Sequence, residues 1–565
     1  MKKLLSLLLA LCFVVSLFAL SSCGKDDKAA ETTATEPASE SETAEVTTVE
    51  ATTDKWEVLA PKITMLSAKD RALRIEYSVK KNAEKSSKNE IYLQGPDTVE
   101  DGVTPEIQVM IYDRNKAAEN LLGVTITYIK WDYAYGEQAA PIDVAVRGNA
   151  ADAPDLFINM IYDLNKEIMN SAFMDVISLP GSFFDFNAKG WLWEWMQNQS
   201  FTGDRAYILG SDYFLDVFRA VSLLPFNMTM MDANAVKLAP AIIGLEDTLG
   251  QGEDLTTRFF DLVETGGWTW DVLGDLCEAI WVDKDGNEQD SIYDQLGIIA
   301  DTYGGINAAS FIYSCGEKLI EDYKIEDPSS DHYQEQWLRY PADSTSLNRI
   351  FDAVKSVFEG AGSLTTSYTF SGNTPETPGA AYHHTKFASS ELLFAGACLL
   401  GALEDDAFQN MTDLYSVVPF PKVNVDKEYN SVIVNQADAG VINVNAGPRK
   451  ARALSAFLQY CTENSPAIRN EFLKVVTKYK TTTYNQGTDR MLEIIYDAIR
   501  YDRDKTVEDL INADRNNRWH AILKTDGFTA GSDYIASRYE SLYTQKTSAL
   551  NSYLERWYTL PKAGD

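Results

Sequence analysis

The sequence predicts an α/β fold with mostly parallel sheets flanked by helices, and three features carry that prediction. Leu73, Ile75, Tyr77 and Val79 alternate with Arg74, Glu76 and Ser78, the period-two pattern of a half-buried strand. Leu156 to Ile158 is a continuous apolar run, which suits a strand covered on both faces in a parallel sheet. Beyond it, strand-like runs alternate with stretches of helical period, and no repeat of solenoid length interrupts them.

Taken in order, the strand at Leu73 to Val79 is followed by a second at Ile107 to Tyr112. Asp113 can cap a short helix through Leu122, Gly123 can end it, and Val124 to Ile129 reads as another strand. Thr269 stands as an N-cap for a helix from Trp270 to Ile280, with Asp271 at the positive end of its dipole. Asp283, Lys284, Asp285, Gly286 and Asn287 make a polar hairpin or loop before a strand at Leu296 to Ala300. Ile350, Val354 and Val357 mark a helix, as do Leu492, Ile495 and Ile499; Pro448 opens another whose buried stripe is Leu454, Phe457 and Leu458.

The first residues read as an address. Lys2 and Lys3 precede an apolar run from Leu4 to Leu20, and Ser21 and Ser22 precede Cys23, an order that resembles the lipobox of bacterial lipoproteins. The expected organisation is a lipoprotein signal peptide over 1–22, a lipidated disordered tether over 23–56 and a folded body over 57–565. The tether is rich in Thr, Ser, Ala and Glu and has no aromatic residue before Trp56, too little apolar surface to offset chain entropy. No later run reaches the roughly twenty apolar residues of a membrane span, so the expectation is an extracytoplasmic body held to the cell membrane by lipid alone.

The 565 residues hold 50 Lys and Arg against 83 Asp and Glu, a net charge of −33 that repels nucleic acid and anionic lipid. Cys277, Cys315, Cys398 and Cys461 are scattered without a CxxC pair; two of them, Cys277 and Cys461, fall on apolar helical faces and read as buried thiols. GxxxxGK[ST], GxSxG and HExxH are missing. His383 and His384 read as loop residues without a ligand partner. No catalytic group, metal site or cofactor is therefore expected.

A set of short segments, in order, resembles bacterial extracellular solute-binding proteins of family 1, the carbohydrate-type receptors of ABC importers. They are Gly148 to Leu156, Trp131 to Tyr133, Thr202 to Tyr207, Gly210 to Asp212, Phe226 with Asn227, Gly267 to Asp271, and Pro419 to Lys422. Phe387 and Glu391 resemble a further helix start of that family, with Ser390 where its glycine stands, and Arg205 replaces its usual lysine. Gly286 falls too early in its acidic loop for an EF-hand, and Asn410 to Trp557 matches loosely.

The resemblance implies a two-lobed, periplasmic-binding-protein-like fold of type II, made of two discontinuous lobes with the ligand cleft between them. It implies a monomeric binder, not an enzyme, that closes on a carbohydrate and hands it to ABC permease subunits. Sugar rings call for aromatic plates beside polar groups, and the chain has 11 Trp and 29 Tyr. Tyr133, Trp191, Asp212, Tyr213 and Tyr303 are the expected ligand contacts, and Cys23 the lipidation site. The residues also admit a surface glycosidase using an Asp/Glu pair, a receptor for a non-sugar solute, and a structural lipoprotein.

Overall fold

A computed structural model describes residues 55–80, 88–133, 137–148, 152–244, 249–250, 253–301, 305–366, 373–374, 377–378, 382–396, 398–477, 485–501, 503–511, 518–522 and 531–561. Cys23, Tyr303 and residues 149–151 of the Gly148 to Leu156 motif lie outside them. The strands are β1 (Ala72–Lys80), β2 (Thr125–Tyr133), β3 (Leu156–Met160), β4 (Ser222–Asn227), β5 (Leu296–Asp301), β6 (Glu321–Lys324) and β7 (Gln336–Arg339). After them come β8 (Ser363–Thr366), β9 (Asn373–Thr374), β10 (Thr377–Pro378), β11 (Leu392–Phe394), β12 (Cys398–Leu399), β13 (Tyr415–Val418) and β14 (Asp438–Ile442).

Two main sheets result. The first has the order β14-β3-β1-β2, and the second β12-β4-β11-β5-β8 with β13 also on β4. Each is built on parallel strands, β1 with β2 and β3 in the first, β5 with β8 and β11 in the second. β14 and β4 run against those neighbours. Their direction follows from connectivity: β4 is laid down as the chain leaves the first sheet, and β14 as it returns from the second. The sheets are thus mixed, parallel from β3 to the β2 edge of the first and from β11 to the β8 edge of the second, and antiparallel where β14 and β4 join. The Asn485–Asp497 helix then packs back on β13. Among the described residues no helix is long and apolar enough to cross a membrane.

Most of the expected elements are present, with three corrections. Glu106–Leu122 is one continuous helix, so Ile107 to Tyr112 is not a strand. Ile107, Ile111, Ala118 and Leu122 form its buried stripe at helical spacing, Pro105 precedes its first turn, and Gly123 ends it at φ 61°. His383 and His384 belong to the Tyr382–Ala388 helix, where His383 is buried and His384 packs on Phe408. Thr269 precedes the Trp270–Ile280 helix but its side chain makes no cap bond. The Trp270 N–H donates instead to the Lys422 carbonyl at 3.1 Å, as the Pro419 to Lys422 segment runs alongside.

The core of the second sheet is aromatic. Trp268 stacks on Phe394 with centroids 5.6 Å apart, and Phe259 meets Phe226 and Trp268 edge-on at 5.0 Å each. Burying each such ring is worth about 2–3 kcal/mol before chain entropy is counted. The four cysteines named above are buried and none forms a disulfide, and burial pushes the Cys277 and Cys461 thiols up to about 12.

Candidate functional site

Open α/β sheets take ligands at the carboxyl ends of their parallel strands, and in the first sheet those ends carry a concentration of buried polar groups. Tyr133 closes β2 and is 4% exposed; burial first, then the charges of Asp438, Asp216 and Asp163, raise its hydroxyl far above the ordinary phenol range. Asp438 opens β14, and its Oδ2 accepts from Ser78 Oγ at 3.0 Å and Asn89 Nδ2 at 2.8 Å. β3 runs directly into the Ile161–Ile168 helix, which delivers Asp163 and Asn165 to the same edge. Gln138, just before the Ala139–Gly148 helix, accepts from the Met160 N–H at 3.3 Å.

This edge is wired to the second sheet. The Asp438 N–H donates to Asp216 Oδ2 at 3.1 Å, and Arg219 Nη1 donates to Asp216 Oδ1 at 2.8 Å. Arg219 Nη2 reaches Glu404 Oε2 at 3.3 Å, in the short helix after β12, and Tyr92 donates to Glu404 Oε1 at 3.0 Å. Lys88 pairs with Glu404 as well. Groups beside both main sheets therefore join one polar chain that runs through the Leu215–Arg219 helix.

Several buried polar atoms at or next to this edge have no hydrogen-bond partner: Gln138 Nε2, both amide atoms of Asn159, Asp163 Oδ2 and Asn165 Oδ1. Such atoms cost about 1–3 kcal/mol each when left unsatisfied, so a cluster of them marks a place built to meet something else. Asn165 also lines a void of about 10 Å³ with Trp195, Gln199, Asn435, Lys505 and Thr506, and Trp195 Nε1 and Gln199 Nε2 are likewise unpartnered. Thr506 Oγ1 donates to Gln199 Oε1 at 3.0 Å across it. The chemistry on offer is polar recognition by carboxylates, amides and a phenol gathered around a confined space.

The expected contacts divide into two places. Tyr133 stands at the edge just described. Trp191, Asp212 and Tyr213 lie together elsewhere: Trp191 bridges to Ser211, and the Asp212 N–H donates to the Gly190 carbonyl at 2.8 Å. Trp191 Nε1 donates to Gln459 Oε1 at 2.9 Å. Asp212 is fully buried and takes Arg469 Nη1 at 3.2 Å and the Tyr496 hydroxyl at 3.2 Å; burial still pushes its carboxyl up to about 6. Tyr213 is enclosed under Arg114, its hydroxyl 3.4 Å from that of Tyr128. Asp163, Asn165, Asp216, Arg219 and Asp438 were not anticipated. The strand-end rule applied to β3 points to the first two, whereas Asp438 depends on a pairing across hundreds of residues.

Among the described residues, Asp283, Asp285 and Asp294 bring carboxylate oxygens within 4.8 Å of one another. Those carboxylates already serve the loop: Asp294 accepts from the N–H groups of Lys284 and Ser291, each at 2.8 Å, and Asp283 from that of Glu288 at 2.9 Å.

No protein-family model matches this chain and no curated protein matches it. Among solved structures it is similar to the GacH receptor of Streptomyces glaucescens, studied unliganded and with acarbose, at 11% identity over 84% of this chain and 99% of that one, with a TM-score of 0.45. It is similar to the maltose/maltodextrin-binding domain of Bdellovibrio bacteriovorus bound to maltotriose, at 11% identity over 86% and 100%, with a TM-score of 0.42. It is also similar to an uncharacterized Listeria monocytogenes protein, at 11% identity over 86% and 100%, with a TM-score of 0.47.

Proposed function

We propose that this chain is an extracytoplasmic solute receptor, lipid-anchored through Cys23, that binds a carbohydrate between its two sheets and delivers it unchanged to an ABC permease. The observation that carries the reading is the first sheet's carboxyl edge. There Tyr133, Asp163 and Asp438 gather with unpartnered amides, and a polar chain ties them through Asp216 and Arg219 to Glu404 of the second half. A polyhydroxylated solute offers both donors and acceptors to such a set, and contacts from both halves give it the differential affinity that closure requires. The segment resemblance and the mixed two-sheet architecture support the same reading.

The test is thermal-shift and calorimetric titration of the full chain against mono- and oligosaccharides, with peptides and phosphodiesters as the other arms. A sugar that raises the melting temperature according to its excess over Kd, and fails to do so in Asp163→Ala, supports the proposal. Shifts from peptides or phosphodiesters alone assign another solute class. Release of a smaller sugar product, abolished by one carboxylate substitution, overturns the binder in favour of a glycosidase.

A further inference from the structure

Beside the Trp193–Asn198 helix lies an aromatic array outside the edge described above. Phe186 lies flat on Trp193, centroids 4.6 Å apart and planes 6° apart, and Phe184 stacks on Phe186 at 5.1 Å. Trp191 meets Phe184 and Phe186 edge-on at 5.5 and 5.2 Å. Phe184, Phe186 and Trp193 remain half-buried, although they interlock as a core would.

The array borders a groove of about 270 Å³. Its other wall is Tyr496 and Asp497, at the end of the helix that packs on β13, and Asn187, Leu192 and Glu194 also line it. Trp195, whose buried indole N–H has no partner, lines both this groove and the small void. Flat apolar plates bordered by carboxylates and an amide match a pyranose, which presents C–H faces and a rim of hydroxyls. The volume is at the lower limit of small-molecule pockets, room for a sugar ring or two rather than a long chain.

We propose that this groove is a second saccharide-binding site, in which a sugar ring packs on the outer face of Trp193, backed by Phe186, and its hydroxyls meet Asp497, Glu194 and Asn187. Its walls come from the segment before β4 and from the helix that packs on β13, so a sugar held there joins those two elements away from Tyr133.

The test uses the full chain with maltotriose, cellotriose and mannotriose as probes, read by calorimetry and saturation-transfer NMR. In a Tyr133→Ala/Asp163→Ala background, at least one probe still binds. Trp193→Ala then weakens that residual binding about tenfold, the size of a lost aromatic anchor. Trp193→Phe keeps it within about threefold because the plate survives. Asp497→Ala, which leaves the rings in place, also weakens it and guards against a folding defect in Trp193→Ala. Loss of all binding in the Tyr133/Asp163 background, residual binding indifferent to Trp193→Ala and Asp497→Ala, or no probe bound by the parent protein overturns the proposal. Binding unaffected by the Tyr133/Asp163 changes but abolished by Trp193→Ala upholds the groove and removes the edge as the sugar site.

Discussion

Replacing Lys546 by Met should cost more stability than almost any other single change outside the hydrophobic core. Lys546 is 1% exposed, near the middle of the Ser532–Tyr558 helix, and its ammonium pairs with the fully buried Glu508 of the Arg503–Ile511 helix. It also lies 4.1 Å from the Trp519 ring centre and 5.4 Å from that of Tyr340. Glu508 takes a hydrogen bond from the Tyr340 hydroxyl and one from the Trp519 N–H at 3.4 Å. Methionine preserves much of the stem's volume but removes the ammonium that pairs with Glu508, leaving its buried carboxylate without that countercharge. Breaking one side of such a pair costs about 3–5 kcal/mol, a large part of the 5–15 kcal/mol that holds most proteins folded. Removing both charges, in Lys546→Met/Glu508→Gln, should recover all but about 1–2 kcal/mol, because no uncompensated ion remains. Urea unfolding followed by tryptophan fluorescence measures both, Trp519 and Trp557 being buried reporters. A single variant that loses under about 1 kcal/mol, or a double variant as unstable as the single, would mean that Lys546 does not compensate a buried Glu508 charge.

Two further outcomes are expected. The Asp212 carboxyl is raised in the folded state to about 6, so the fold holds its proton more tightly than the unfolded chain does. Stability relative to Asp212→Asn should therefore fall as pH rises from about 4 to 6, by at most about 3 kcal/mol, and stay level above that; a relative stability that rises over this window contradicts the assignment. Ser390 sits at φ 61°, a left-handed conformation costly to any residue with a side chain. Ser390→Gly should raise stability by about 0.5–1 kcal/mol, the relief of strain less glycine's extra freedom when unfolded, and denaturant midpoints showing no gain would dismiss that strain.

Ser390 also shows what the letters alone could convey. The resemblance places glycine there, and the backbone supplies the reason, although this chain carries serine. Arg205, which replaces a lysine, forks to the Trp557 and Leu560 carbonyls at 2.7 Å each and so anchors the end of the last long helix. The region that matched loosely in sequence is thus tied to a position that departs from the pattern. Local pattern located β1, β3 and the Trp270–Ile280 helix, β3 by its unbroken apolar run and the helix by its stripe; β1 was expected half-buried, but as an inner strand it buries Glu76 and Ser78 as well. Local pattern failed at Ile107 to Tyr112, where a short apolar run fits either period and only the full stripe to Leu122 decides. Tyr133 was expected just beyond a strand read to Ile129, and the strand runs on to include it. Asp438 and Glu404 come to the candidate site from distant segments through pairings that no local pattern encodes.

The most direct measurement of the central claim is a crystal structure of the full chain with whichever sugar the titrations select. Density for that sugar is expected against the first sheet's carboxyl edge, with hydroxyls in hydrogen-bond reach of Asp163 Oδ2 and the Tyr133 hydroxyl and with contacts from segments beside both sheets. Sugar density confined to segments beside one sheet, or remote from that edge in a complex whose affinity Asp163→Ala abolishes, would contradict that claim.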